Sequence, residues 1–77
     1  MSGKIVKAYM LIVTSVGKEH DVIKELKKVP GITSTDVVYG EFDIIVKIEG
    51  SLATVDRANA EIRKTPNVLR TVTLVAH

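Results

Sequence analysis

Glu25-Leu26-Lys27-Lys28-Val29-Pro30-Gly31-Ile32-Thr33-Ser34-Thr35 returns later in the chain as Glu61-Ile62-Arg63-Lys64-Thr65-Pro66-Asn67-Val68-Leu69-Arg70-Thr71. Glu25, Lys28, Pro30 and Thr35 recur identically. Leu26, Lys27 and Ile32 recur as Ile62, Arg63 and Val68. Each copy reads as the end of a helix, a breaker centred on proline, and the start of a strand. Two copies therefore predict two β-α-β halves related by a pseudo-twofold axis.

The segments flanking the repeat complete both halves. Residues 5–14 read as a first strand, with Ala8-Tyr9-Met10-Leu11-Ile12-Val13 apolar on both alternating faces, which predicts a central position. Over residues 18–29 the apolar positions are Val22, Ile23, Leu26 and Val29, the stripe of an amphipathic helix. Glu19 and Asp21 begin that helix and Lys27 and Lys28 end it, in keeping with the helix dipole. Residues 32–39 form a less apolar, edge-type strand, followed by a turn at Gly40-Glu41-Phe42. In the strand over 43–49, Ile44, Val46 and Ile48 face one way and Ile45, Lys47 and Glu49 the other. Ser51 is placed to cap a second helix with Leu52, Val55, Ala58 and Ile62 on its apolar face. The last strand spans 68–76.

The order β-α-β-β-α-β with right-handed crossovers predicts an α+β, ferredoxin-like fold: a four-stranded antiparallel sheet with both helices on one face. The other face is left bare. Since the first and third strands carry apolar residues on both sides, that face is expected to need a cover. The chain has 77 residues, a length that predicts a single domain over residues 1–77. For so short a chain, apolar burial of about 110 kcal/mol stands against about 115 kcal/mol for ordering it. A second copy on the bare face, giving a dimeric α+β-barrel arrangement, is the simplest remedy.

Composition narrows the function. Hydrophobic residues make up 45%, enough to fold. The absence of cysteine removes disulfides and thiolate zinc sites and fits a reducing, cytoplasmic setting. Lys and Arg exceed Asp and Glu by only 11 to 9, a weak basis for nucleic-acid binding. The apolar run at residues 8–13 is far short of a membrane span. Residues 1–4, Met1-Ser2-Gly3-Lys4, carry no leader pattern.

Chemistry is sparse. His20 and His77 have no companion ligands at zinc spacing and read as surface residues, so neither a metal nor a cofactor is expected. Gly17-Lys18 lacks the earlier glycine and the following Ser or Thr of a phosphate loop. An RNA-binding sheet of this topology stacks bases on strand aromatics. Here only Tyr9 falls on the central strands. The informative segment is Tyr39-Gly40-Glu41-Phe42-Asp43. A turn glycine bares backbone N–H groups and Asp43 adds a carboxylate, a pairing that suits a zwitterion. Thr71 and Thr73, two apart on a strand, point to one face. The same residues also suit plain turn closure and strand formation.

These marks together resemble the C-terminal effector-sensing (RAM) domain of the Lrp/AsnC, or feast/famine, transcriptional regulators. They are Val16-Gly17-Lys18 before the first helix, Val29-Pro30-Gly31-Ile32 after it, the Gly40-Glu41-Phe42-Asp43 turn, Thr65-Pro66-Asn67-Val68, and Thr71-Val72-Thr73. The second helix closes on Pro-Asn where the family has Pro-Gly. The resemblance implies pairing through the sheets, assembly into rings, and an amino acid or related small effector bound between dimers. It places that effector at Gly40 and Asp43, with Tyr39 and Phe42 as walls and Thr71 and Thr73 as further contacts. It implies no enzyme activity. The family's DNA-reading helix-turn-helix has no counterpart before the first strand, so action through partner proteins, including full-length relatives, is expected in place of direct DNA contact. A small dimeric α+β-barrel enzyme, such as a monooxygenase or isomerase, and an ACT-type amino-acid sensor share the architecture. The first needs His20 buried beside a closed pocket, and the second needs side-by-side sheets.

Overall fold

A computed structural model describes residues 4–76. Residues 1–3 and His77, and with them the readings of an absent leader and of a surface histidine at His77, lie outside the described residues. The elements are β1 (Val6–Thr14), α1 (Glu19–Leu26), β2 (Ile32–Val37), β3 (Ile44–Gly50), α2 (Leu52–Lys64) and β4 (Val68–Ala76). The sheet runs β2-β3-β1-β4 and every neighbouring pair is antiparallel. This is the ferredoxin-like arrangement, with β1 and β3 central and β2 and β4 at the edges.

One side of the sheet carries the core. Ala8, Met10 and Ile12 of β1 and Ile44, Val46 and Ile48 of β3 are buried against Val22 and Leu26 of α1 and Val55, Ala58 and Ile62 of α2. The strict alternation along β3 places Ile45, Lys47 and Glu49 on the opposite side. There Leu11 is flanked by Ile45 and Val72, and Tyr9 by Lys47 and Leu74. Val72 and Leu74 remain 36% and 51% exposed. One face is thus packed and the other is open.

The sequence repeat is visible in the geometry. The Ile32 N–H donates to the Val29 carbonyl, and the Val68 N–H to the Thr65 carbonyl, at matching positions. Gly31 and Asn67 both take positive φ, 97° and 73°. Asparagine is among the few residues with a side chain that accept this region, so Pro-Asn closes the second half as Pro-Gly closes the first.

The second strand ends at Val37, short of Tyr39, and two expectations about the helices are corrected. The first helix ends at Leu26, short of Val29, because Lys28 and Val29 donate to the Glu25 and Leu26 carbonyls. These three-residue bonds tighten the last turn out of α-helical geometry. Leu52 is 63% exposed and does not join the buried face of α2. It is the first residue of the helix, nearly a full turn before Val55, where contact with the core begins.

Candidate functional site

The turn joining β2 to β3 is pinned at its base. The Val38 N–H donates to the Asp43 carbonyl (2.9 Å), and the Asp43 N–H to the Ile12 carbonyl (2.8 Å). The side chain of Asp43 is tied as well: its Oδ2 accepts from the Thr14 N–H at 2.8 Å and lies 3.5 Å from the Thr14 hydroxyl. Thr14 is 5% exposed, a buried polar residue in the same parity as Ala8, Met10 and Ile12. The next amide, that of Ser15, donates to the Asn67 carbonyl at 2.9 Å. The end of β1 therefore holds the Gly40 turn on one side and the turn before β4 on the other. A charged acceptor on a main-chain donor is a strong form of hydrogen bond, so Asp43 closes the turn whatever else it does.

Above this base the turn is open. Gly40 has φ +119°, and a Cβ added there would meet nothing within 4 Å. Tyr39 beside it is fully exposed. Phe42 is half-buried, and the guanidinium carbon of Arg70 stands 5.5 Å from its ring centroid. That is cation–π distance. By register Arg70 is opposite Val13, whose parity is that of Tyr9 and Leu11, so the Phe42–Arg70 contact lies at the rim of the open sheet face.

The six residues singled out in the sequence separate into two groups. Tyr39, Gly40, Phe42 and Asp43 share the turn. Thr71 and Thr73 do point to one face, but it is the helix face: they are in register with Ile12 and Met10, and the Thr73 hydroxyl donates to Asn59 Oδ1 of α2 at 3.3 Å. Ile12 in turn pairs with Ile44, which sets Thr71 two strand spacings, about 10 Å, from the residue after Asp43.

Three surface cavities stand apart from the turn. One of about 420 Å³ lies between Glu25–Pro30 of the first half and Arg57, Glu61 and Thr65 of the second. A second of about 200 Å³ adjoins Pro30, Ala53, Thr54 and Arg57. A third of about 130 Å³, on β4, includes Arg63, Arg70 and Thr71. His20 is exposed and lines none of them. Among the described residues no group of three or more acidic, histidine or cysteine side chains could hold a metal, and no helix is long and apolar enough to cross a membrane.

Sequence reasoning missed Thr14, Asn59 and Arg70. Thr14 was legible as a hydroxyl in the core-facing parity of an otherwise apolar strand. Arg70 was legible as a charge in the parity of Val72 and Leu74. Asn59 carried no signal of its own.

The structure designated FFRP-DM1 is 42% identical and superposes with a TM-score of 0.85, covering 94% of this chain and 99% of that one. The chain belongs to the Lrp/AsnC, or feast/famine, family. AsnC of E. coli is 18% identical, with a TM-score of 0.82, 92% of this chain and 50% of that one being covered. A feast or famine regulatory protein from M. tuberculosis, solved in complex with L-methionine, is 22% identical, with a TM-score of 0.76, and the match covers 92% and 49%. At those identities the two share the fold, and this chain spans about half their length. Neither a protein-family model nor a curated relative matches the chain.

Proposed function

We propose that this Lrp/AsnC-family chain is a small-effector sensor. It binds an amino acid at the Gly40–Asp43 turn and self-associates through its open sheet face, serving transcription regulation through contacts with other protein chains, full-length relatives among them. The observation that carries the reading is the turn itself. Its base is fixed on Thr14, while Gly40 leaves its backbone open to an approaching group. Backbone N–H groups there suit a carboxylate. Asp43 Oδ1, which accepts no hydrogen bond from the described residues, suits an ammonium. Family membership supports the effector class, and the methionine complex of the M. tuberculosis protein supports an amino acid.

In this reading a second copy completes the site. The turn stands at the rim of the open face, so a paired subunit supplies the wall that one chain lacks. Thr71 and Thr73, on the helix face, contribute through a neighbour in a ring. Calorimetry against the twenty amino acids, read together with molar mass by light scattering with and without each, tests both halves. Saturable heat with at least one amino acid and a mass of a dimer or more are expected. No heat from any amino acid overturns the effector reading, and a monomer throughout overturns the assembly.

A further inference from the structure

The cavity of about 420 Å³ lies on the helix side of the molecule, away from the open sheet face, and is independent of the effector reading. It is a groove along the outer side of the helices. The two cavities that form it meet at Pro30 and Arg57, which line both. Its apolar wall is Val29, Pro30 and Ala53.

Charge in the groove is unevenly satisfied. Lys28 Nζ lies 3.2 Å from Glu25, and Lys64 Nζ lies 3.4 Å from Glu61, equivalent ion pairs in the two halves of the repeat. Both glutamates of the groove are thus paired by the lysine three residues further on. Arg57 belongs to none of the ion pairs or side-chain hydrogen bonds among the described residues. A guanidinium offers five donors in a planar fork that matches a carboxylate. Here it stands in the middle of a groove whose size, about 420 Å³ in its larger part, falls within that of small-molecule sites.

We propose that this groove is a second binding site, for a small carboxylic acid with an apolar chain: the carboxylate lies on Arg57 and the chain lies against Val29, Pro30 and Ala53. Amino acids belong to this class, but it is the carboxylate that the groove selects, since Arg57 has no charged partner among the described residues whereas Glu25 and Glu61 each face a lysine. Because the groove is on the helix side, sheet pairing leaves it accessible.

Amide-resolved NMR of the full chain tests this with isovalerate and isoamylamine, which share an apolar chain and differ in charge. Isovalerate is expected to shift amides at residues 29, 31 and 53–57 saturably in the millimolar range, with isoamylamine without effect there. Arg57→Gln, an exposed change whose spectrum reports its own folding, is expected to weaken isovalerate binding about tenfold. Arg57→Lys should fall between. Equal response to the amine, unchanged affinity in Arg57→Gln, or shifts confined to residues 40–43 overturns the proposal. Shifts at 40–43 would bear on the effector site alone, so the two readings fail separately.

Discussion

Asp43 does what a backbone carbonyl does elsewhere in the sheet: it accepts the Thr14 N–H, at 2.8 Å, where β1 has run past its pairing with β3. Thr14 is buried, so removing the acceptor leaves a donor without water or protein to meet it. Asp43→Ala is expected to cost about 1–3 kcal/mol, measured by urea unfolding. Asp43→Asn retains an oxygen acceptor and should cost less than half as much. It would separate the structural role from the proposed ammonium contact, because it removes the charge and keeps the bond. Gly40 and Gly31 give a second contrast. Both have positive φ, but a Cβ at Gly40 meets open space, whereas one at Gly31 comes 2.7 Å from Thr54 Cγ2. Gly40→Ala should therefore cost only the backbone strain, about 1–2 kcal/mol. Gly31→Ala should cost more, and Thr54→Ser, which deletes that methyl, should recover part of the difference in the double variant.

At the scale of the element, the two helices differ in how they begin. Ser51 Oγ accepts the Thr54 N–H at 3.1 Å, an N-cap bond at the start of α2. The corresponding residue of α1, Lys18, makes no side-chain cap bond. Ser51→Ala should lower stability by about 1 kcal/mol, and Lys18→Ser should raise it by about 0.5–1 kcal/mol. Opposite shifts in the urea midpoint at an unchanged slope would verify both. All six elements and the central place of β1 were legible, β1, β3 and the two helices because each buries a regular stripe, and the edge strands β2 and β4 from the repeat and the breakers that bound them. The end of α1 was not, since Lys27 and Lys28 suit a helix and only the bonds to Glu25 and Leu26 show the tighter turn. Thr71 and Thr73 show the same limit at the site. Strand parity placed their hydroxyls together, but which side of the sheet that parity faces is set by register with Met10 and Ile12.

Across the whole molecule, the asymmetry of the sheet is the dominant feature. Its helix side is closed over a continuous core. Its other side presents Tyr9, Leu11, Ile45, Val72 and Leu74 in adjacent register, with Lys7 opposite Glu49 at one end, Arg70 at the other, and Lys47 beside Tyr9. An apolar patch centred on β1 and β4 and bordered by charged groups is the pattern of an interface core with its rim, and two such sheets pack at about 10 Å. What covers this face was beyond the reach of sequence reasoning, since strand alternation marks a face as apolar without saying what meets it. Leu74 is half-exposed and contributes little to the core of one chain, so Leu74→Lys should leave the monomer folded. In a paired sheet it buries a charge without a partner, which is strongly destabilising. Light scattering should show the wild-type chain as a dimer or larger, and Leu74→Lys shifted towards the monomer with its far-ultraviolet circular dichroism intact. Leu52→Lys is the matched control: it is as apolar and more exposed, but on α2, and its mass should equal the wild type. Equal dissociation by both substitutions would count against the open face as the contact, because only one of them lies on it.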